Sequence, residues 1–323
     1  MAPVLRRSAI ALASLAVLAV AGCGSPAATA HRSARAILDA ANQQALGTSF
    51  EMSFTSKMQV DLTGVSGLSG VTPGELGLIQ AEINSAQLQG VVDFQSQKLF
   101  ELSFSVSPLL DQTWHLIDLN GTRYISENGT QWHSVTGNSG LAGGVGGVAS
   151  GGLSNLKAEL QTWGQELHSS ATVTNLGNSQ LNGAEVDHVQ TSVSGPALNH
   201  ALAQVLSGLA TQLGTAEPSL SGEVPAIEKL LQFNSAKVDS YVGTASGQLE
   251  RTEISVGMTL DLGSLSALAP SQSDLPSGSM SMTIDATGNF SEYGKNFGIQ
   301  KPSDIVAGPL PTPSGLGAAL APS

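Results

Sequence analysis

The sequence predicts an α+β fold in which helices lie on one face of an antiparallel sheet. Runs of period-two alternation within residues 50–106 and 238–286, separated by longer connections, supply the strands. Segments with apolar residues three and four apart supply the helices, and Asn120-Gly121, Asn128-Gly129 and Asn182-Gly183 mark tight hairpins.

The first element is a helix from Ala34 to Leu46, because Ala34, Ile37, Leu38, Ala41 and Ala45 fall on one helical face. A strand follows in which Phe50, Met52, Phe54, Met58, Val60 and Leu62 alternate with polar residues, Ser56 being the one lapse on the apolar side. Such a strand has one dry and one wet face, as in an antiparallel sheet covered on one side. The register continues through Leu88, Val92 and Phe94, then through Phe100, Leu102, Phe104 and Val106 between Glu101, Ser103 and Ser105. The Asn-Gly turns at 120 and 128 bracket a strand carrying Tyr124 and lead to Trp132, which makes a meander.

Residues 137–152 hold eight glycines and divide the chain roughly in half. Beyond them Leu153, Leu156, Leu160, Trp163 and Leu167 trace a second amphipathic helix. A strand through Val186, Val189 and Val193 precedes a third helix over Leu198, Leu202, Val205, Leu206, Leu209 and Leu213. Strands return from Val238 to Val242, over Ile254, Val256, Met258, Leu260 and Leu262, and over Met280, Met282, Ile284 and Ala286. Residues 63–85 and 263–279 are long insertions where a hairpin needs two to five residues; connections of this kind either border a binding site or are floppy apolar insertions without function.

The N-terminus reads as an export signal. Arg6 and Arg7 precede an apolar run from Ser8 to Val20, shorter than the roughly 20 residues that cross a bilayer. Leu18-Ala19-Val20-Ala21-Gly22-Cys23 then has the form of a bacterial lipobox, whose cysteine receives a diacylglyceryl group and becomes the first residue after cleavage. Two acyl chains, at about 0.8 kcal/mol per buried methylene, anchor a protein stably. The expected organisation is a lipoprotein signal peptide over 1–22, a lipidated tether over 23–32, a single domain over 33–304 and an unstructured Pro-rich tail over 305–323. The expected location is the extracytoplasmic face of the cell membrane, held there by the lipid on Cys23.

Composition narrows the function. With 13 Lys plus Arg against 25 Asp plus Glu the formal charge is -12, which repels a nucleic-acid backbone. The single cysteine excludes a disulfide framework, an iron-sulfur cluster and any multi-cysteine zinc site. None of the six histidines makes a pair at close helical spacing, so no metal site is expected, and His115 and His188 are read as surface or capping residues. No serine has glycine two positions before and two after it, and no glycine-rich stretch matches a phosphate loop. Glu185 and Asp187 share a strand face but read as solvated. No enzyme and no cofactor are therefore predicted. What remains is apolar strand surface rich in methionine, a side chain that adapts to irregular ligands.

A wider pattern runs from Cys23 through the opening helix into the Phe50–Leu62 strand. It continues in the hairpin Leu119-Asn120-Gly121-Thr122-Arg123-Tyr124, which leads to Gln131-Trp132. It closes on Phe290-Ser291-Glu292-Tyr293-Gly294, followed by Ile299, Pro302 and Ser303. This pattern resembles the LppX/LprG-type lipoproteins of actinobacteria, relatives of the LolA/LolB lipoprotein carriers. The resemblance implies an open half-barrel sheet whose helices cover the concave face and enclose an apolar cavity for acyl chains. It also implies a lipid or lipoglycan ligand, the cell membrane and envelope transport proteins as partners. The longer Gly-rich connections and the Pro-rich tail depart from the family pattern.

The lining expected of such a cavity is Phe50, Met52, Phe54, Met58, Val60, Leu62, Val92, Phe94, Phe100, Leu102, Phe104, Val106, Leu160, Trp163, Met258, Met280 and Met282. The competing reading is a non-catalytic cell-envelope interaction module whose core is filled by its own side chains. Lipidation is testable apart from either reading. In cells fed labelled palmitate the parent chain takes up label, and Cys23→Ser should take up none; label in the variant would contradict the assignment of Cys23.

Overall fold

The computed structural model describes residues 33–66, 74, 81, 84, 87–93, 99–106, 112–119, 122–127, 129–135, 169–201, 203–204, 229–264 and 277–306. Helix α1 (Ala34–Leu46) matches the predicted span. Ser33 caps it, its Oγ accepting from the Ala36 amide at 3.2 Å and so satisfying one of the free donors of the first turn. Ile37 and Ala41 are buried on the predicted face.

The strands are β1 (Ser49–Asp61), β2 (Val65–Ser66), β3 (Gln87–Asp93), β4 (Leu99–Val106), β5 (Gln112–Leu119), β6 (Thr122–Glu127) and β7 (Gln131–Val135). They continue with β8 (Thr172–Leu181), β9 (Ala184–Ser194), β10 (Leu231–Gly243), β11 (Leu249–Asp261), β12 (Ser277–Ser291) and β13 (Ile305–Val306). All lie in one open sheet in the order β13-β7-β6-β5-β4-β3-β1-β12-β11-β10-β9-β8, with β2 paired to β12 off this path. Every pairing is antiparallel except that of β13 with β7. The last long strand, β12, lies between β1 and β11 and joins the N-terminal meander to the C-terminal one.

Residues directly opposite in an antiparallel ladder point to the same face. One row across the sheet is Val60, Met282, Met258 and Phe233; the next is Met58, Ile284, Val256 and Ala236. Farther along, Phe54, Gly288, Thr252, Ser240 and Val189 form a third row. On the other side, Phe50 faces Val92 and Phe100, while Leu102 stands opposite Gly90 and Leu116. The predicted dry positions therefore share one face over most of the sheet. Helix α1 rests on that face, with Ile37 and Ala41 packed among Val189, Val242, Leu249 and Phe290.

Departures from the expected layout have local causes. Ser277–Ser279, placed in the second insertion by the sequence, begin β12, because Gly278 takes a φ of 97° and pairs with Val65. Ile305 and Val306 lie just past the 304 boundary and pair with Trp132 and His133 as β13. Asn182 and Gly183, at φ 52° and 84°, form the predicted hairpin turn. The third predicted helix is present over 195–201 and at 203 and 204, where the described part of it ends. The second predicted helix, the signal segment, Cys23 and the tether lie outside the described residues.

Gly288 shows how tightly the face is packed. Its Cα lies beneath the Phe54 ring, and a Cβ built on it would overlap that ring, 2.7 Å from Cζ. Gly288→Val should lower stability by about 1–3 kcal/mol, the usual cost of forcing volume into a filled site. A chemical denaturation midpoint equal to that of the parent would show that Phe54 swings aside freely.

Candidate functional site

The apolar face carries two buried clusters. Met58, Met258, Met280 and Met282 gather with Leu231, Leu260, Leu262 and Ile284, and Val60, Leu62, Val65, Phe233 and Val256 pack around them. The structure thus brings together predicted site residues from β1 and from the distant, consecutive strands β11 and β12. The described packing partners of this methionine cluster come from strands and the residues adjoining them, including the short helical turn at Leu262 and the helical residue Leu230 just before β10, none of them from α1. The second cluster is the one beneath α1.

Between the clusters runs a chain of rings. Phe54 meets Phe290 edge-on at 5.6 Å, Phe50 meets Phe290 at 5.9 Å, and Tyr293 tilts against Phe50 at 5.7 Å. Such offset and edge geometries suit the ring quadrupoles. The Tyr293 hydroxyl donates to the Leu249 carbonyl at 2.5 Å, tying the segment after β12 to β11. Burial, with Glu250 adding to it, pushes the Tyr293 phenol well above its ordinary range.

Of the other predicted lining residues, Val92 is buried, and Met52, Phe100 and Leu102 are partly buried on the same face. Phe104 stands at the register position opposite Leu88, and Val106 opposite Gln112. Phe94, Leu160 and Trp163 lie outside the described residues.

Several polar residues on this face escaped the sequence reading. Thr252 is fully buried, and its Oγ1 makes no hydrogen bond among the described residues; Ser240, opposite it, is 2% exposed. Asp118 and His133 are also buried, and the register places both on the apolar face, opposite Phe100 and Ile125. Their strands are short and irregular in hydropathy, so periodicity gave no signal for them.

Over β10 and β11 the opposite face is polar, whereas toward the β13 edge it buries Ile117 and Tyr124. Asp239, on β10, accepts from His188 Nε2 and Gln190 Nε2, both at 2.9 Å, and pairs with Lys237 Nζ at 2.9 Å. His188 stacks on Tyr241 at 4.6 Å, and Tyr241 donates to Glu253 at 3.3 Å. His115, on β5, lies 3.0 Å through Nδ1 from Ser103 Oγ. Both histidines lie in strands and are partly buried, held by neighbouring side chains. Among the described residues no three His, Cys, Asp or Glu gather as metal ligands, and no helix is long and apolar enough to cross a membrane.

Burial raises the Asp239 carboxyl, but the hydrogen bonds from Gln190, Lys237 and His188 outweigh it and hold its pKa below the ordinary carboxylate value. A carboxyl depressed by folding stabilises the folded state above its unfolded pKa, and that contribution is lost as pH falls through the folded value. Asp239→Asn should therefore cost about 1–2 kcal/mol at neutral pH. The gap from the parent should close as the pH falls below roughly 4. Urea unfolding across pH checks this, and a gap independent of pH would contradict it.

No family model matches the chain, and no curated protein matches it. Among solved structures it is similar to the Mycobacterium tuberculosis lipoprotein LppX, at 10% identity and a TM-score of 0.38, over 81% of this chain and 96% of that one. It is also similar to LprF from Mycobacterium bovis, at 13% identity and a TM-score of 0.35, over 84% and 96%. A third is an outer membrane lipoprotein-sorting protein domain from Vibrio parahaemolyticus, at 9% identity and a TM-score of 0.26, again over 84% and 96%. These neighbours include the lipoprotein group that the sequence pattern resembles.

Proposed function

We propose that the protein is a non-enzymatic, membrane-tethered carrier or receptor that holds the acyl chains of a lipid or lipoglycan against the apolar face of its sheet. The observation that carries this reading is the extent of that face. On β1, β3, β10, β11 and β12 its described positions hold no charged residue. Twelve strands in a row, at about 4.8 Å each, make a sheet more than 50 Å across. Helix α1, with 13 residues, is only about 20 Å long and lies on one part of it. An apolar sheet face must be covered. Flexible methionines at its centre suit acyl chains of varied length and unsaturation.

The Cys23 lipobox supports a place at the membrane surface, where such lipids reside, and the acidic balance supports work away from nucleic acid. In this reading the helices form the cover of an open half-barrel, and envelope transport proteins hand over or receive the ligand. One observation favours the rival interaction module: Phe50, Phe54, Met58 and Met258 are each at most 7% exposed, as in a filled core.

Leu102→Trp separates the two. Leu102 is partly buried beside Gly90 and, by register, some distance along the sheet from the methionine cluster. If acyl chains occupy this face, the variant should bind a fluorescent fatty acid more weakly while its melting temperature stays near that of the parent. A filled core would instead lose about 1–3 kcal/mol. A fall of several degrees, with no probe bound by the parent, would overturn the lipid reading.

A further inference from the structure

The two long insertions are joined at their feet. Val65 and Ser66 of β2 pair with Gly278 and Ser277, the first residues of β12. The Ser279 amide donates to the Gly64 carbonyl at 3.2 Å, and the Ser66 and Ser277 hydroxyls meet at 3.0 Å. Only glycine permits this approach. A Cβ on Gly64 would stand 2.6 Å from the Ser279 carbonyl oxygen, and one on Gly278 would overlap the Gly64 carbonyl.

The join sits at one end of the methionine cluster. Val65 packs against that cluster, whereas Gly64, Ser66, Ser277, Gly278 and Ser279 are exposed. The strand ends on either side are pinned separately. Asp61 Oδ1 accepts from the Thr63 amide at 2.9 Å, and Asp261 accepts from the Gly263 amide and the Ser264 hydroxyl, both at 3.1 Å. Fixed strand ends therefore flank a ladder of only two residue pairs. Its hydroxyl pair can exchange for water at little cost, and among its residues only Val65 is packed against the methionine cluster.

We propose that this two-pair ladder is a clasp that gates the methionine-lined end of the apolar face. Separation of β2 from β12 withdraws Val65 and opens a way in for an acyl chain, while β1, β11 and the body of β12 stay paired. Exposed backbone hydrogen bonds with few buried contacts belong to the least stable parts of a fold, where functional opening is found. The inference rests on the lipid-holding reading for what passes the clasp. It does not rest on that reading for the opening itself.

Two measurements on the full chain test it. The first is hydrogen exchange. The Ser279 amide, which donates across the ladder to Gly64, should exchange at least about tenfold faster than the amides of Met282 and Ile284, which lie within the body of β12. Exchange of Ser279 in step with Met282 would mean that the clasp does not open, whatever the protein binds. The second uses Ser66→Cys with Ser277→Cys on protein attached to phosphatidylcholine vesicles, with pyrene-labelled phosphatidylcholine as the probe. Oxidation should slow probe uptake by at least about tenfold, and reduction should restore it. Equal rates in the oxidised and reduced forms would overturn the gate. Failure of the parent to take up probe would overturn the lipid-holding reading, and the exchange measurement would still decide whether the clasp opens.

Discussion

The placement of β12 between β1 and β11 is the constraint on which the rest of the structure depends. It pairs with β1 from Glu51 to Asp61 and with β11 from Arg251 to Asp261, an unbroken register of eleven residue pairs on each side. That register puts Met58, Val60, Met258, Met280 and Met282 on one face and Lys57, Glu253 and Asp285 on the other. A slip of one residue would exchange the two sets, burying charge and exposing the methionines. The Phe54 ring over Gly288 locks this register sterically, because any other residue at 288 would collide with it.

From this constraint follows a division of labour between the faces. The outer face is held by side-chain hydrogen bonds, with Asp239 joining His188, Gln190 and Lys237. The inner face is held by packing, and its buried polar residues among those described are Thr252, Ser240, Asp118 and His133. Thr252 and Ser240 sit side by side between the methionine cluster and α1, while Asp118 and His133 lie toward the β13 edge. Because burying polar groups is costly, the apolar surface is bounded on that side at β5 and β7.

Much of this was legible in the sequence, and the reason is periodicity. The alternation from Phe50 to Leu62 is local information, as is the three-and-four spacing of Ile37, Leu38 and Ala41, and both elements form as predicted. The same alternation identified the four methionines that meet in one cluster. The pairing order was not legible, since nothing local to Met280–Ala286 states that it will lie beside β1, about 220 residues earlier. Two-residue strands such as β2 and β13 carry no period at all. The bulge at Phe233/Ser235 shifts the phase of β10, so Phe233 and Ala236 share a face although they are three positions apart.

The central claim is that the apolar face holds acyl chains, and the most direct measurement is mass spectrometry of an organic extract of the purified, folded protein. The account predicts a lipid or lipoglycan in near-stoichiometric amount that survives extensive washing and disappears when the protein is unfolded before washing. A clean extract from protein that remains fully folded would contradict it and leave a sheet filled by its own side chains.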